Sequence, residues 1–185
     1  ADDPDALDRR DELRAMDIAA DALMAYAGRY AERLGELARA EADPDRRAGW
    51  ETLAAVCRRV PACAPETFRE AIQFYWFVHV GVVSELNPWD SFNPGRLDQH
   101  LWPFYRRELA AGTLTEADAR ELLQALWVKF HNHPAPPKVG VTAQESGTYT
   151  DFALINVGGV TPEGADATND LSYLILDVIE EMRLL

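Results

Sequence analysis

Two stretches of this chain concentrate polar groups between apolar elements, and chemistry has room to sit in both. The first, Asn87 to Asp98, reads NPWDSFNPGRLD and sets Asp90 beside Trp89 and close to Phe92. A carboxylate buried among aromatic rings needs a cationic or hydrogen-bonding partner, either Arg96 in the same loop or the ammonium of a bound substrate. The same residue also fits an Asx-type turn. The second stretch, Gln144 to Asp151, reads QESGTYTD and leads into an apolar run at Phe152. A strand entrance that presents Ser146, Asp151 and the ring of Phe152 can floor a small-molecule pocket, the carboxylate taking a cation and the hydroxyl a carboxylate or hydroxyl group. Spacing alone equally allows turn chemistry there.

Other reactive side chains read more simply. Arg96 and Asp98 fit capping and ion-pair roles at the start of the following helix. No base follows Ser146 at a spacing that suggests a hydrolytic triad. The cluster His131-Asn132-His133 lacks a third ligand for zinc, since the remaining histidines are His79, in an apolar helical stretch, and His100. His79 is expected to be a buried core histidine. Cys57 and Cys63 flank Pro61 as C-x5-C, neither a metal nor a redox spacing, and Cys57 falls on the apolar side of a helix.

The elements that must position these loops are mainly helical. Apolar residues at helical spacing, from Leu13 and Met16 through Leu34 and Leu37, predict one long helix or two in tandem over 4–42. Asp43-Pro44 breaks it, and a second helix is expected over 45–60. Pro65-Glu66-Thr67 opens a third, Phe68 to Leu86, apolar nearly all round, which predicts burial in a core larger than this chain supplies. Helices are expected over 96–111, with Pro103 kinking it, and from Thr115, whose hydroxyl caps it, to a stop before His133-Pro134. Phe152 to Val157 reads as a buried strand ending at Gly158-Gly159. Capping side chains at Asp166 to Asn169 then introduce a last helix, Leu171 to Leu185. With no stop signal after it, the natural polypeptide is expected to continue.

Composition narrows the class. With 185 residues, 48% hydrophobic and 26% charged, the chain can bury one sizeable core. A net charge of −13 argues against a nucleic-acid surface, whose affinity rests on Lys and Arg. No apolar run reaches the roughly 18 to 20 residues a membrane span needs, because Gln73 and His79 interrupt Ala71 to Val83. The acidic start ADDPDALDRRDE is unlike a secretory signal, so the cytoplasm is the expected location.

Read together, three stretches resemble the glycyl radical enzymes of the pyruvate formate-lyase type. They are Phe68 to Tyr105, Leu114 to Thr142, and Glu145 to the end, carrying NPGRLDQ, Leu-Trp-x-Lys-Phe and GG-x-x-x-x-G-x-DATN-x-LSYL. The match covers the last two-thirds of the chain. It implies that residues 1–185 are part of a single domain, with 1–62 a helical lead-in and 63–185 the best-matched segment. The fold implied is mostly α with one or two short β-strands, a partial segment of a ten-stranded α/β barrel.

Within that superfamily, NPWDSFNPGRLDQ together with ESGTYTDF is similar to the hydroxyproline dehydratase branch, which implies that Asp90, Ser146, Asp151 and Phe152 line the substrate pocket. A zwitterionic imino acid suits that set, a carboxylate for its ammonium and a hydroxyl for its carboxylate or ring hydroxyl. Isethionate sulfite-lyases, glycerol and diol dehydratases, arylacetate decarboxylases and formate C-acetyltransferase-like enzymes remain alternatives. So does a non-catalytic helical scaffold.

The resemblance further implies anaerobic radical chemistry without a directly bound cofactor. A backbone glycyl radical, installed by a separate S-adenosylmethionine and iron–sulfur activating enzyme, passes to a cysteine thiyl that abstracts a substrate hydrogen. In the family the thiol and glycine loops follow the segment matched here, so the chain by itself is expected to be inactive and to hold no catalytic residue. Its implied partners are the small-molecule substrate, the activating enzyme, and the rest of the barrel or a homodimer mate. The apolar helix around Ala71 to Val83 is expected to be an exposed surface seeking such a partner.

Overall fold

The computed structural model describes residues 5–85, 95–132 and 155–184. Asp90, Ser146, Asp151 and Phe152 lie outside these described residues, as do Trp89, Phe92 and His133. The chain divides into two compact units, residues 1–65 and 66–185.

The first unit is a helical hairpin. Leu13, Met16, Leu23, Ala27, Leu34 and Leu37 keep one apolar stripe in register, and a single helix, α1, runs over Ala6–Ala40. Pro44 then starts α2 (Pro44–Arg59), whose amides at Asp45 and Arg46 are capped by the Asp43 carboxylate at 2.9 and 3.0 Å. At 1.5 Å per residue α1 is about 50 Å long and α2 about 24 Å, so α2 can flank only half of α1. The buried residues of α1 accordingly lie in its second half, at Ala27, Ala31 and Ala38, whereas Leu13 and Met16 stay about two-thirds exposed. Cys57 is buried in this hairpin, and burial pushes its thiol pKa up. Cys63 is exposed.

The second unit has four helices among its described residues: α3 (Phe68–Glu85), α4 (Leu97–Ala111), α5 (Glu116–His131) and α6 (Asp170–Met182). Three of them, α3, α5 and α6, begin where the sequence supplies capping acceptors. Thr67 Oγ1 accepts from the Glu70 amide at 3.1 Å while Glu70 Oε2 accepts from the Glu66 and Thr67 amides. Thr115 and Asp118 form the same reciprocal box, and the two hydrogen bonds from Thr115 hold the exposed Asp118 carboxyl below its usual range. Gly112, at φ +68°, ends α4 in the left-handed conformation that favours glycine. Pro103 sits inside α4 as expected.

The core of this unit gathers around Phe68, Leu101, Leu123, Leu171 and Ile175, one or two from each helix. The Glu108 carboxylate accepts from the Phe68 amide at 3.1 Å and ties α3 to α4. Arg120 on α5 reaches Glu181 at 2.8 Å and Asp177 at 3.7 Å on α6. Such exposed pairs contribute at most about 1 kcal/mol, so apolar packing decides how α5 meets α6.

One expectation needs correction. Helix α3 is not an exposed apolar surface, because every residue from Ala71 to Ser84 is buried or half-buried. The expected strand Phe152 to Val157 lies partly outside the described residues; from Ile155 onward, Asn156 makes one isolated parallel bridge with Arg96. Among the described residues the structure is mainly helical, and its β-pairing is limited to isolated bridges.

His79 is wholly buried on α3, as the sequence predicts. Trp76 stacks on it at 5.5 Å, and Phe130 of α5 meets it edge-on at 5.0 Å. Burial lowers its pKa to about 4, so it is neutral in the fold at pH 7. Unfolded, it takes up a proton near pH 6.5. The stability this confers is therefore complete above pH 6.5 and lost as pH falls towards 4. Urea denaturation of the chain and of a His79→Phe variant should show the parent losing about 3 kcal/mol relative to the variant across that window.

Candidate functional site

The sequence motifs NPGRLDQ and GG-x-x-x-x-G-x-DATN-x-LSYL lie some sixty residues apart, and the fold brings their described parts together. Contact begins in the backbone. Asn156 donates its amide to the Gly95 carbonyl at 3.2 Å and accepts from the Leu97 amide at 3.1 Å, which makes the parallel bridge between Arg96 and Asn156. Gly95 adopts φ +81°, a conformation that strains other residues, and so turns the chain into the start of α4.

Next the side chains cross. Arg96 extends over Gly159 and donates from Nη1 to the carbonyls of Val160 at 2.7 Å and Gly158 at 3.3 Å. Arg96 therefore fastens the glycine turn, beyond the capping and ion-pair role at the start of α4 that the sequence suggests. Asp98 in the first turn of α4 is wholly buried. Its Oδ2 accepts from the Gly158 amide at 2.7 Å, from Gln99 Nε2 at 3.2 Å, and from the Ser172 hydroxyl in a short hydrogen bond. Its Oδ1 accepts from the Gln99 amide at 2.8 Å. Gln99 also donates to the Ala167 carbonyl at 2.6 Å.

The far side of this cluster is the cap of α6. Asn169 Oδ1 accepts from the amides of Leu171 and Ser172, and Ser172 Oγ accepts in turn from the Asn169 amide at 3.0 Å. Ser172 thus serves the helix cap as acceptor and Asp98 as donor. Between the two glycines and the cap, residues 159–167 fold back on themselves, with Ala167 N to Gly159 O at 3.0 Å and Thr161 N to Ala165 O at 2.8 Å. The Thr168 amide donates to Asp166 at 2.9 Å and lowers that carboxyl's pKa.

Sequence reasoning singled out Asp98 and Arg96 only as local residues of α4, and it missed Ser172. The available signal was that all three fall inside the two long motifs. The sequence-derived pocket residues Asp90, Ser146, Asp151 and Phe152 lie outside the described residues, so the cluster shows where their segments join the fold. Asp90 precedes Gly95 by five residues, and Phe152 precedes Ile155 by three. An open depression beside Asp177, Glu180, Glu181 and Arg183 lies towards the other end of α6 and has no part in this cluster. Among the described residues no three His, Cys, Asp or Glu side chains gather as metal ligands.

The chain belongs to the pyruvate formate lyase-like family, whose model matches residues 1–185. It is 54% identical over 183 residues to trans-4-hydroxy-L-proline dehydratase of Clostridioides difficile, covering 99% of this chain and 23% of that protein. The crystal structure of hydroxyproline dehydratase from that organism, with trans-4-hydroxy-L-proline bound, superposes with a TM-score of 0.92 over 99% of this chain and 23% of its own. Isethionate sulfite-lyase of Nitratidesulfovibrio vulgaris is 38% identical over 180 residues, 97% of this chain and 22% of its own length. The chain thus spans less than a quarter of the relatives it matches.

Gly159 tests the cluster directly. A Cβ there would lie 3.1 Å from Arg96 Nη1 and 3.4 Å from Cδ, at φ +90°. Gly159→Ala should displace Arg96 and add left-handed strain, costing about 1–3 kcal/mol. Thermal unfolding should register this as a lower midpoint, and Gly49→Ala, which has open space around its Cβ position, should show no such loss.

Proposed function

We propose that these residues are the substrate-recognition part of a glycyl radical lyase, a dehydratase that cleaves a C–O bond of trans-4-hydroxy-L-proline. The observation that carries this reading is 54% identity, across 99% of the chain, to a protein named for that reaction. The loop chemistry agrees with it. Asp90 or Asp151 supplies a carboxylate for the imino acid's ammonium, Ser146 a donor for its carboxylate or hydroxyl, and Phe152 an apolar wall for the ring.

In this reading residues 63–185 carry recognition and 1–62 are the helical lead-in, all within one domain built on a ten-stranded α/β barrel. A backbone glycyl radical, installed in the cytoplasm by a separate S-adenosylmethionine-dependent activating enzyme, supplies the hydrogen-atom chemistry when present. Cys57 is buried within the first unit with its thiol pKa raised, and Cys63 belongs to that unit as well. Both sit in a different unit from the two motifs, so no reaction step is assigned to either. What the present residues do is bind the zwitterion and orient it while its apolar wall excludes water.

Calorimetry on the full-length protein tests the proposal, with trans-4-hydroxy-L-proline, isethionate and glycerol as ligands. Hydroxyproline alone should bind, and Asp151→Ala should weaken it by about 10- to 100-fold, the worth of one charge-assisted hydrogen bond. Binding of isethionate or glycerol instead would sink the substrate assignment and leave family membership standing.

A further inference from the structure

We infer that the first half of α1 is a docking surface for a second copy of this chain, paired antiparallel about a two-fold axis that passes between residues 15 and 16. The pairing concerns the first unit alone and does not depend on the substrate proposed above.

Two observations carry it, both from the pattern of α1. First, the face that packs on α2 continues past the reach of α2. One turn takes 3.6 residues, which sets Leu13, Met16, Ala20 and Leu23 on the same side of the helix as the buried Ala27, Ala31 and Ala38. Leu13, Met16 and Ala20 are exposed. An apolar stripe of this length is suited to a second helix. Ile18 is exposed as well, but it lies on the opposite side.

Second, the charges along one edge of the stripe run Arg10, Arg14, Asp17, Asp21. Like charges four residues apart repel on a helix surface, so this order works against the helix that carries it. Turned end for end about the proposed axis, the same order is self-complementary. It sets Arg10 beside the partner's Asp21 and Arg14 beside the partner's Asp17, and the symmetry repeats both pairs. On the other edge Glu12 meets the partner's Ala19, so no like charges oppose each other there. Between the edges Met16 faces the partner's Met16, flanked by Leu13 and Ala20. Charge order therefore selects a copy of this helix, in one direction and one register, over an apolar segment that merely fits the stripe.

Arg10 also reaches Asp11 at 3.4 Å, an exposed pair that is readily exchanged for another. The paired stretch, residues 9–24, is about 24 Å long, an interface at the small end of those between proteins. The dimer is therefore reversible.

The test uses the full-length protein carrying Met16→Cys, which places two thiols across the axis. Mild oxidation should join the peptide around position 16 to its own copy, read by mass spectrometry. Ile18→Cys, on the opposite side of the helix, should give at least about tenfold less of the self-linked product. Adding Arg14→Glu to Met16→Cys sets a like charge against the partner's Asp17 and should cut the product about tenfold, as should adding Asp17→Arg. Combining the two exchanges the charges and should restore the yield, with helix content by circular dichroism constant throughout. A parallel pair would not recover in that combination. Absence of the self-linked peptide would mean that other parts of the same polypeptide cover the stripe, and it would overturn the inference. So would equal yields from Met16→Cys and Ile18→Cys, or no recovery on exchanging the charges.

Discussion

A carboxylate with no access to water is the constraint around which the second unit is organised. Removing a charge from water costs several kcal/mol unless donors replace the lost hydration, and Asp98 receives them from Gln99, Gly158 and Ser172. Each donor commits a different element. Gln99 belongs to α4 itself, Gly158 opens the glycine turn, and Ser172 lies in the first turn of α6. Satisfying one side chain therefore sets the start of α4, the path of residues 156–167 and the cap of α6 at once. Hydrophobic burial brings α4 and α6 together, but it is directionless at the scale of a hydrogen bond. The carboxylate supplies the register.

How much of this was legible beforehand depended on range along the chain. Helices and their starts were readable because their signals are local: Asp43-Pro44, Thr115 with Asp118, and Asn169 with Ser172 lie within four residues of one another. Asp98 was not, and the reason is instructive. An acidic residue in the first turn of a helix already has a sufficient local explanation through the helix dipole, so nothing in its neighbourhood signals a partner sixty residues away. Arg96 was read only as a local residue for the same reason, and its reach to the Gly158 and Val160 carbonyls was not visible. Asp90, Ser146, Asp151 and Phe152 rest on the family resemblance and the chemistry of their side chains.

Helix α3 shows the opposite case, in which composition overstated a need. Its apolar circumference suggested a surface waiting for a partner, yet the aromatic residues are used within the unit. Tyr75, Trp76 and Phe130 enclose His79, and Trp127 contacts Phe130 at 5.8 Å. Large rings cover more area per residue than aliphatic side chains, so a few of them close a face that a helical-wheel count leaves open. They also pack the middle of α3 against the end of α5, because Phe130 is one residue from the end of α5.

Most hydrogen bonds in the polar cluster have a main-chain group as one partner: the Asn156 amide and carbonyl, the Gly158 amide and carbonyl, and the carbonyls of Val160 and Ala167. Main-chain partners place few demands on the identity of neighbouring side chains. Relatives named for hydroxyproline and for isethionate, matching 99% and 97% of this chain, are what such an arrangement permits. A frame built on side-chain-to-side-chain contacts would couple every change of substrate to a loss of fold. A frame built on one buried carboxylate and the backbone around it does not.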